Sequence, residues 1–251
     1  LENPDDPIHH LRFNDTSDRL FVKRERAYHI VSVADGTTVA EVDMEEENYG
    51  LNHHLSRDGR YWIADHFIEA KLHVHEIYGN KKYLVPDVKG TGQLTHYRAT
   101  PDGRYLAALW QTHPQSPQVA GYLSVCDLHA DIPEWRTLHQ GYPWTGSAPE
   151  SVSVVDSSGE RIAFGNLAGD ILVYNIQTGE KLHTLSLKQD FVLELVFTPD
   201  GERLAAGYFS QVARIWNLAT EEPIAEPLEH EGAVVGIDFS STSTIESMKT
   251  A

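Results

Sequence analysis

Apolar and polar positions alternate along this chain in short runs, broken at close intervals by turn-forming residues, and no run carries the 3.6-residue stripe of an amphipathic helix. One set of strand-like runs is Arg19 to Val22, Arg60 to Ala64, Arg104 to Trp110, Arg161 to Gly165 and Arg203 to Gly207. Each is preceded by a turn: Asn14-Asp15-Thr16-Ser17-Asp18, Ser56-Arg57-Asp58-Gly59, Thr100-Pro101-Asp102-Gly103, Asp156-Ser157-Ser158-Gly159 and Thr198-Pro199-Asp200-Gly201. Pro presets φ and Gly supplies positive φ, the chemistry needed to reverse a strand in few residues. A further apolar run follows each, seen as Tyr28 to Val33, Leu72 to Ile77, Tyr122 to Asp127, Ile171 to Ile176 and Ala213 to Leu218. A more polar one then closes the unit: Val39 to Val42, Tyr83 to Val88, Trp135 to Leu138, Leu182 to Leu187 and Ile224 to Leu228. The turn glycines Gly59, Gly103, Gly159 and Gly201 stand 44, 56 and 42 residues apart, so the unit is a four-stranded meander with one long member. A single meander cannot bury both faces; stacking such units radially does.

Three third strands end in Trp216-Asn217, Tyr174-Asn175 and Cys126-Asp127, and His230-Glu231-Gly232-Ala233-Val234 leads into another apolar run. These residues resemble the WD-repeat β-propellers, whose units end the third strand in Trp-Asp and open with Gly-His. The resemblance covers about residues 8 to 240 and is best from Val192 to Ser240, where the phrasing is similar to bacterial WD-repeat domains of larger proteins. It implies an all-β fold, a β-propeller of four-stranded antiparallel blades in one domain over 1–251. The units are about 8–50, 51–93, 94–150, 151–191 and 192–233, with the first strand of a sixth, Val234 to Ser240, in 234–251. Five blades and a fraction leave a sheet face and edge open, so the missing blades are expected from the rest of a longer polypeptide or from another chain.

With 251 residues and 41% hydrophobic content the chain is long enough to bury a sizeable core. Lys+Arg 20 against Asp+Glu 37 gives a net charge of −17, which repels phosphate backbones and anionic membranes, so neither nucleic acid nor membrane is expected as a partner. A single cysteine, Cys126, excludes an internal disulfide and a multi-thiolate zinc site and fits a cytoplasmic location. The sequence opens Leu1-Glu2-Asn3-Pro4, with neither an initiator Met nor a signal peptide plan, and reads as a piece of something longer.

Antiparallel alternation puts the first-to-second and third-to-fourth turns of a meander at one end and the remaining connections at the other. The third unit carries two long insertions at that second end, Gln111 to Gln118 and His139 to Gly146. Aromatics on such loops dominate many interfaces, so Tyr142, Trp144 and His113 are candidate partner contacts, with Tyr49, Gln93, Phe191 and His230 around the same rim. First strands line the channel in the resembled family, which would place Arg12, His54, Arg98 and His96 there and suggest an alternative, an enzyme or small-molecule sensor holding an anionic ligand. His73 and His75 share a strand face, but two imidazoles are too few for a zinc site, and no metal is expected. No GxSxG, HExxH, GxxxxGK or GxGxxG motif occurs, so no catalytic residue and no cofactor are assigned. The expected function is a non-catalytic protein-protein interaction scaffold binding a protein or peptide on the long-loop face.

Overall fold

The computed structural model describes residues 7–13, 18–24, 27–43, 49–55, 61–66, 71–77, 82–86, 92–112, 121–141, 153–165, 169–186 and 191–239. They form five antiparallel sheets, each ordered as its strands follow in sequence. The first holds β1 (His10–Phe13), β2 (Arg19–Lys23), β3 (Ala27–Ser32) and β4 (Thr38–Asp43). The second holds β5 (Tyr49–Leu55), β6 (Tyr61–His66), β7 (Lys71–Glu76) and β8 (Lys82–Pro86). The third holds β9 (Gly92–Ala99), β10 (Tyr105–Thr112), β11 (Gly121–Asp127) and β12 (Trp135–Gly141). The fourth holds β13 (Ser153–Val155), β14 (Arg161–Gly165), β15 (Asp170–Asn175) and β16 (Lys181–Ser186). The fifth holds β17 (Val192–Phe197), β18 (Arg203–Tyr208) and β19 (Val212–Asn217), with β20 (Glu222–Pro223) and β21 (Leu228–Glu229) both paired to β19.

Among the described residues the repeated turn is one construction used three times. The N–H of Thr100, Asp156 and Thr198 donates to the carbonyl five residues on, at 2.8, 3.0 and 3.0 Å, and Gly103, Gly159 and Gly201 take the positive φ the reversal demands, 66, 75 and 69°. The side chain at the first position closes the turn from inside. Arg203 N–H donates to Thr198 Oγ1 at 3.0 Å, Tyr105 N–H to Thr100 Oγ1 at 3.0 Å, and Arg161 N–H to Asp156 Oδ1 at 3.1 Å. At the third-to-fourth turns Asn175 and Asn217 accept from the N–H groups of Thr178 and Ala219 at 2.7 and 2.9 Å, an Asx closure that explains a short polar residue at the end of those strands.

The chain divides into two compact units. One spans Leu1–Gly90 with Pro101–Arg104 and Asp127–Glu134. There Phe21, Tyr28 and Ile30 of the first sheet bury against Trp62 of the second, with Ala40, Val42 and Ile77 around them. The other unit comprises Thr91–Thr100, Tyr105–Cys126 and Trp135–Ala251. In it the fourth sheet is buried on both faces. Ile162, Phe164, Leu172 and Tyr174 meet Ala107, Leu109, Leu123 and Val125 of the third sheet. Ala163, Ile171 and Val173, which alternate with them along the strands, meet Leu195, Leu204, Ala206, Tyr208 and Trp216 of the fifth.

Two expectations differ from the structure. Ile224 to Leu228 is not a continuous fourth strand: Ile224 N–H still donates to Ile215 O at 2.9 Å, but of these residues only Leu228 lies in a strand, β21, and Pro227 before it has no N–H to give to β19. Val234 to Ser240, the expected opening strand of a sixth blade, forms no ladder among the described residues, though Val234 N–H donates to Tyr208 O at 3.2 Å. Its start is nonetheless placed as the repeat requires. A Cβ on Gly165 would lie 2.5 Å from Val192 Cβ, and one on Gly207 would lie 2.6 Å from Val234 O, so Val234 abuts the fifth sheet as Val192 abuts the fourth.

Candidate partner-binding rim

At the end of the fifth sheet away from the Thr198–Gly201 turn, the chain enters β17 at Phe191, reverses between β18 and β19 through Phe209-Ser210-Gln211, and leaves β21 at His230. Three contacts join these pieces. Phe209 N–H donates to Phe191 O at 2.9 Å, His230 N–H to Gln211 O at 2.8 Å, and Gln211 N–H to Tyr208 O at 3.3 Å, with Gln211 at a φ of 72°. The Phe191 and Phe209 rings meet edge to face at 6.3 Å between centroids, yet remain 45% and 61% exposed. Val235, one residue past the Val234 that covers Gly207, is 63% exposed. Edge-to-face contact holds the two rings in a fixed relation and leaves outer ring surface for another molecule. Exposed Glu229 and Glu231 flank exposed His230, and residues 191, 209–211 and 228–235 include no Lys or Arg.

Of the sequence-derived contacts, the structure brings Phe191 and His230 to this rim. Tyr142, Trp144 and His113 lie outside the described residues. Tyr49 begins β5 and Gln93 lies on β9, with their side chains outside the description, as are those of Arg12 on β1, His54 on β5 and His96 on β9. Arg98 on β9 is half-buried and its Nη1 donates to Tyr97 O at 3.2 Å. Phe209 was not among the sequence candidates. Its signal was a second aromatic directly after Tyr208, in a short Ser-Gln loop where the first ring fills the strand's buried position.

Other polar contacts tie neighbouring sheets together. His139 Nδ1 of β12 lies 2.9 Å from the Tyr174 hydroxyl of β15, and His183 Nδ1 of β16 lies 3.1 Å from Glu221 Oε1. Burial holds the His139 imidazolium below the usual histidine range, with the Lys181 charge adding to it, and burial raises the Tyr174 hydroxyl. His73 and His75 stack at 6.2 Å, with Trp62 edge-on to His75 at 4.9 Å. Among the described residues no group of three or more His, Cys, Asp or Glu is placed to hold a metal ion.

No family model matches the chain. A Periodic tryptophan protein 2 homolog of Neurospora crassa is 36% identical over 104 residues, 39% of this chain and 12% of that protein. Homologs of the same name from Schizosaccharomyces pombe and Dictyostelium discoideum are 33% identical over 100 residues and 35% over 91. The alignments cover 12% and 10% of those two relatives, so the chain spans about a tenth of the length of the curated proteins it matches. In three dimensions the β-propeller domain of Cps50 (Swd1) from Myceliophteria thermophila matches 84% of this chain and 65% of its own, with a TM-score of 0.57 and 16% identity. The sheet order and the likeness to the Swd1 domain give this chain an all-β, propeller-like fold of antiparallel sheets of about four strands.

Proposed function

We propose that this propeller chain is a non-catalytic scaffold that binds a protein or peptide partner on its long-loop side, within a larger multidomain protein. The observation that carries this reading is the Phe191–Phe209 pair, two aromatic rings fixed against each other and left largely uncovered at a sheet end. Buried strands hold the backbone on either side, so the rings are presented by a rigid frame and lose little freedom on binding. The test is a purified partner, found by cross-linking to the full chain and titrated against the wild type and Phe209→Ser. Affinity is expected to fall about tenfold or more, the usual cost of removing a contact anchor. An unchanged dissociation constant with an unchanged melting curve would remove this rim from the interface.

A further inference from the structure

The rim also says what kind of partner fits it. Its exposed large apolar side chains are few: two Phe rings, Leu228 and Val235, bordered by the loop that bends at Gln211. Such an area accepts one or two side chains rather than a broad flat surface. Its charged border is of one sign. Glu229 and Glu231 are exposed on either side of His230, the His230 backbone is tied to the same loop that carries Phe209, and the described rim residues include no Lys or Arg. The whole chain carries −17, so its long-range field favours cations over anions.

We propose that the rim of the fifth sheet docks a basic segment of a partner protein, which sets an aliphatic or aromatic side chain against Phe191 and Phe209 and its Lys or Arg side chains against Glu229 and Glu231. This rests on the docking reading above and narrows it to one partner chemistry. The apolar contact supplies most of the affinity; the charges select the partner and speed its approach. Exposed ion pairs are individually weak, so a partner must bring at least two cations to be distinguished from a neutral one. A cation within about 6 Å of a Phe ring face would add a further preference for Arg or Lys.

The test uses the full chain as bait for a random twelve-residue peptide library, with bound sequences remade as synthetic peptides and titrated. Lys or Arg flanking a Leu, Ile, Phe or Trp should be enriched. Phe209→Ser and, separately, Glu229→Lys/Glu231→Lys should each weaken these peptides about tenfold, the second variant losing its sensitivity to salt. All three altered residues are exposed, and melting curves equal to wild type confirm that each variant folds. Weakening by Phe209→Ser with none by the double charge reversal would leave the docking rim standing and overturn the basic partner. Failure of both to weaken binding, enrichment of acidic or neutral peptides, or no enrichment at all would overturn the proposal.

Discussion

His139 is a residue whose surroundings oppose its protonation. Its Nδ1 faces the Tyr174 hydroxyl, the Phe164 ring lies 5.3 Å from its own between centroids, and burial first, then Lys181, disfavours the charged form. The folded state therefore binds a proton less readily than the unfolded chain. Stability is unaffected well above the ordinary histidine value, near pH 6.5, and is lost as pH falls through that value toward the lower folded one. Melting temperature should drop between pH 7.5 and pH 5.5, and His139→Gln, which keeps a hydrogen-bonding group for Tyr174, should reduce that drop. A pH difference equal in both proteins would assign the effect to other histidines. Asp156 makes a different demand. Fully buried, it accepts from Arg161 Nε at 2.8 Å, Ser158 Oγ at 2.9 Å, and the N–H groups of Glu160 and Arg161 at 3.0 and 3.1 Å. Asp156→Ala removes an acceptor shared by four donors, leaving Glu160 N–H only the Ser158 Oγ at 3.2 Å and the half-buried Arg161 guanidinium without its carboxylate, and should cost about 2–4 kcal/mol by chemical denaturation.

Sheets meet at close range where the repeat puts glycine. Gly165 ends β14 against Val192, and Gly207 stands in the same place in β18 against Val234. Gly165→Ala should destabilise the chain by about 1–3 kcal/mol, since neither Cβ can move without bending a strand. Gly207→Ala should cost less, because Val234 heads a segment with no ladder to hold it; that segment can lift away, and the Val234 amide should then exchange faster by hydrogen exchange. Equal protection of that amide in both proteins would show Val234 held by more than the Tyr208 carbonyl. This element was half legible in the sequence. The turns could be read because Thr-Pro-Asp-Gly states its own dihedral angles, and the third strands because apolar alternation survives in all five. The broken fourth strand of the fifth sheet could have been read from Pro227, which has no N–H to give to β19, but the apolar Ile224 and Leu228 on either side of it suggested a strand. The rim was less legible, because exposure is not a local property. Tyr208 and Phe209 are adjacent and chemically alike, yet one is fully buried under the Trp216 indole, 3.3 Å from its Nε1, and the other faces solvent.

Two forces of opposite sign act on the molecule as a whole. Leu11 and Phe13 of β1 are 53% and 55% exposed, while Val22 and Val31, on the same face by the pairing of β1 with β2 and β2 with β3, are buried, so the open part of this face is its β1 edge. In a stacked-sheet fold such a face seeks another sheet, and we infer that it meets one from the rest of a longer polypeptide or from another chain. Against association stands the net charge of −17, whose repulsion between copies reaches about 8 Å at 0.15 M salt and about 3 Å at 1 M. The balance must therefore turn on ionic strength. The 251-residue chain should sediment as a smaller species at low salt and self-associate as salt rises, while Leu11→Ser/Phe13→Ser should remain small throughout. Salt strengthens apolar contact while it screens the charges, so both changes push the same way in the wild type and neither has a surface to act on in the variant. Association by both proteins alike would move the sticky surface elsewhere, and the rim of Phe191 and Phe209 would be the next face to alter.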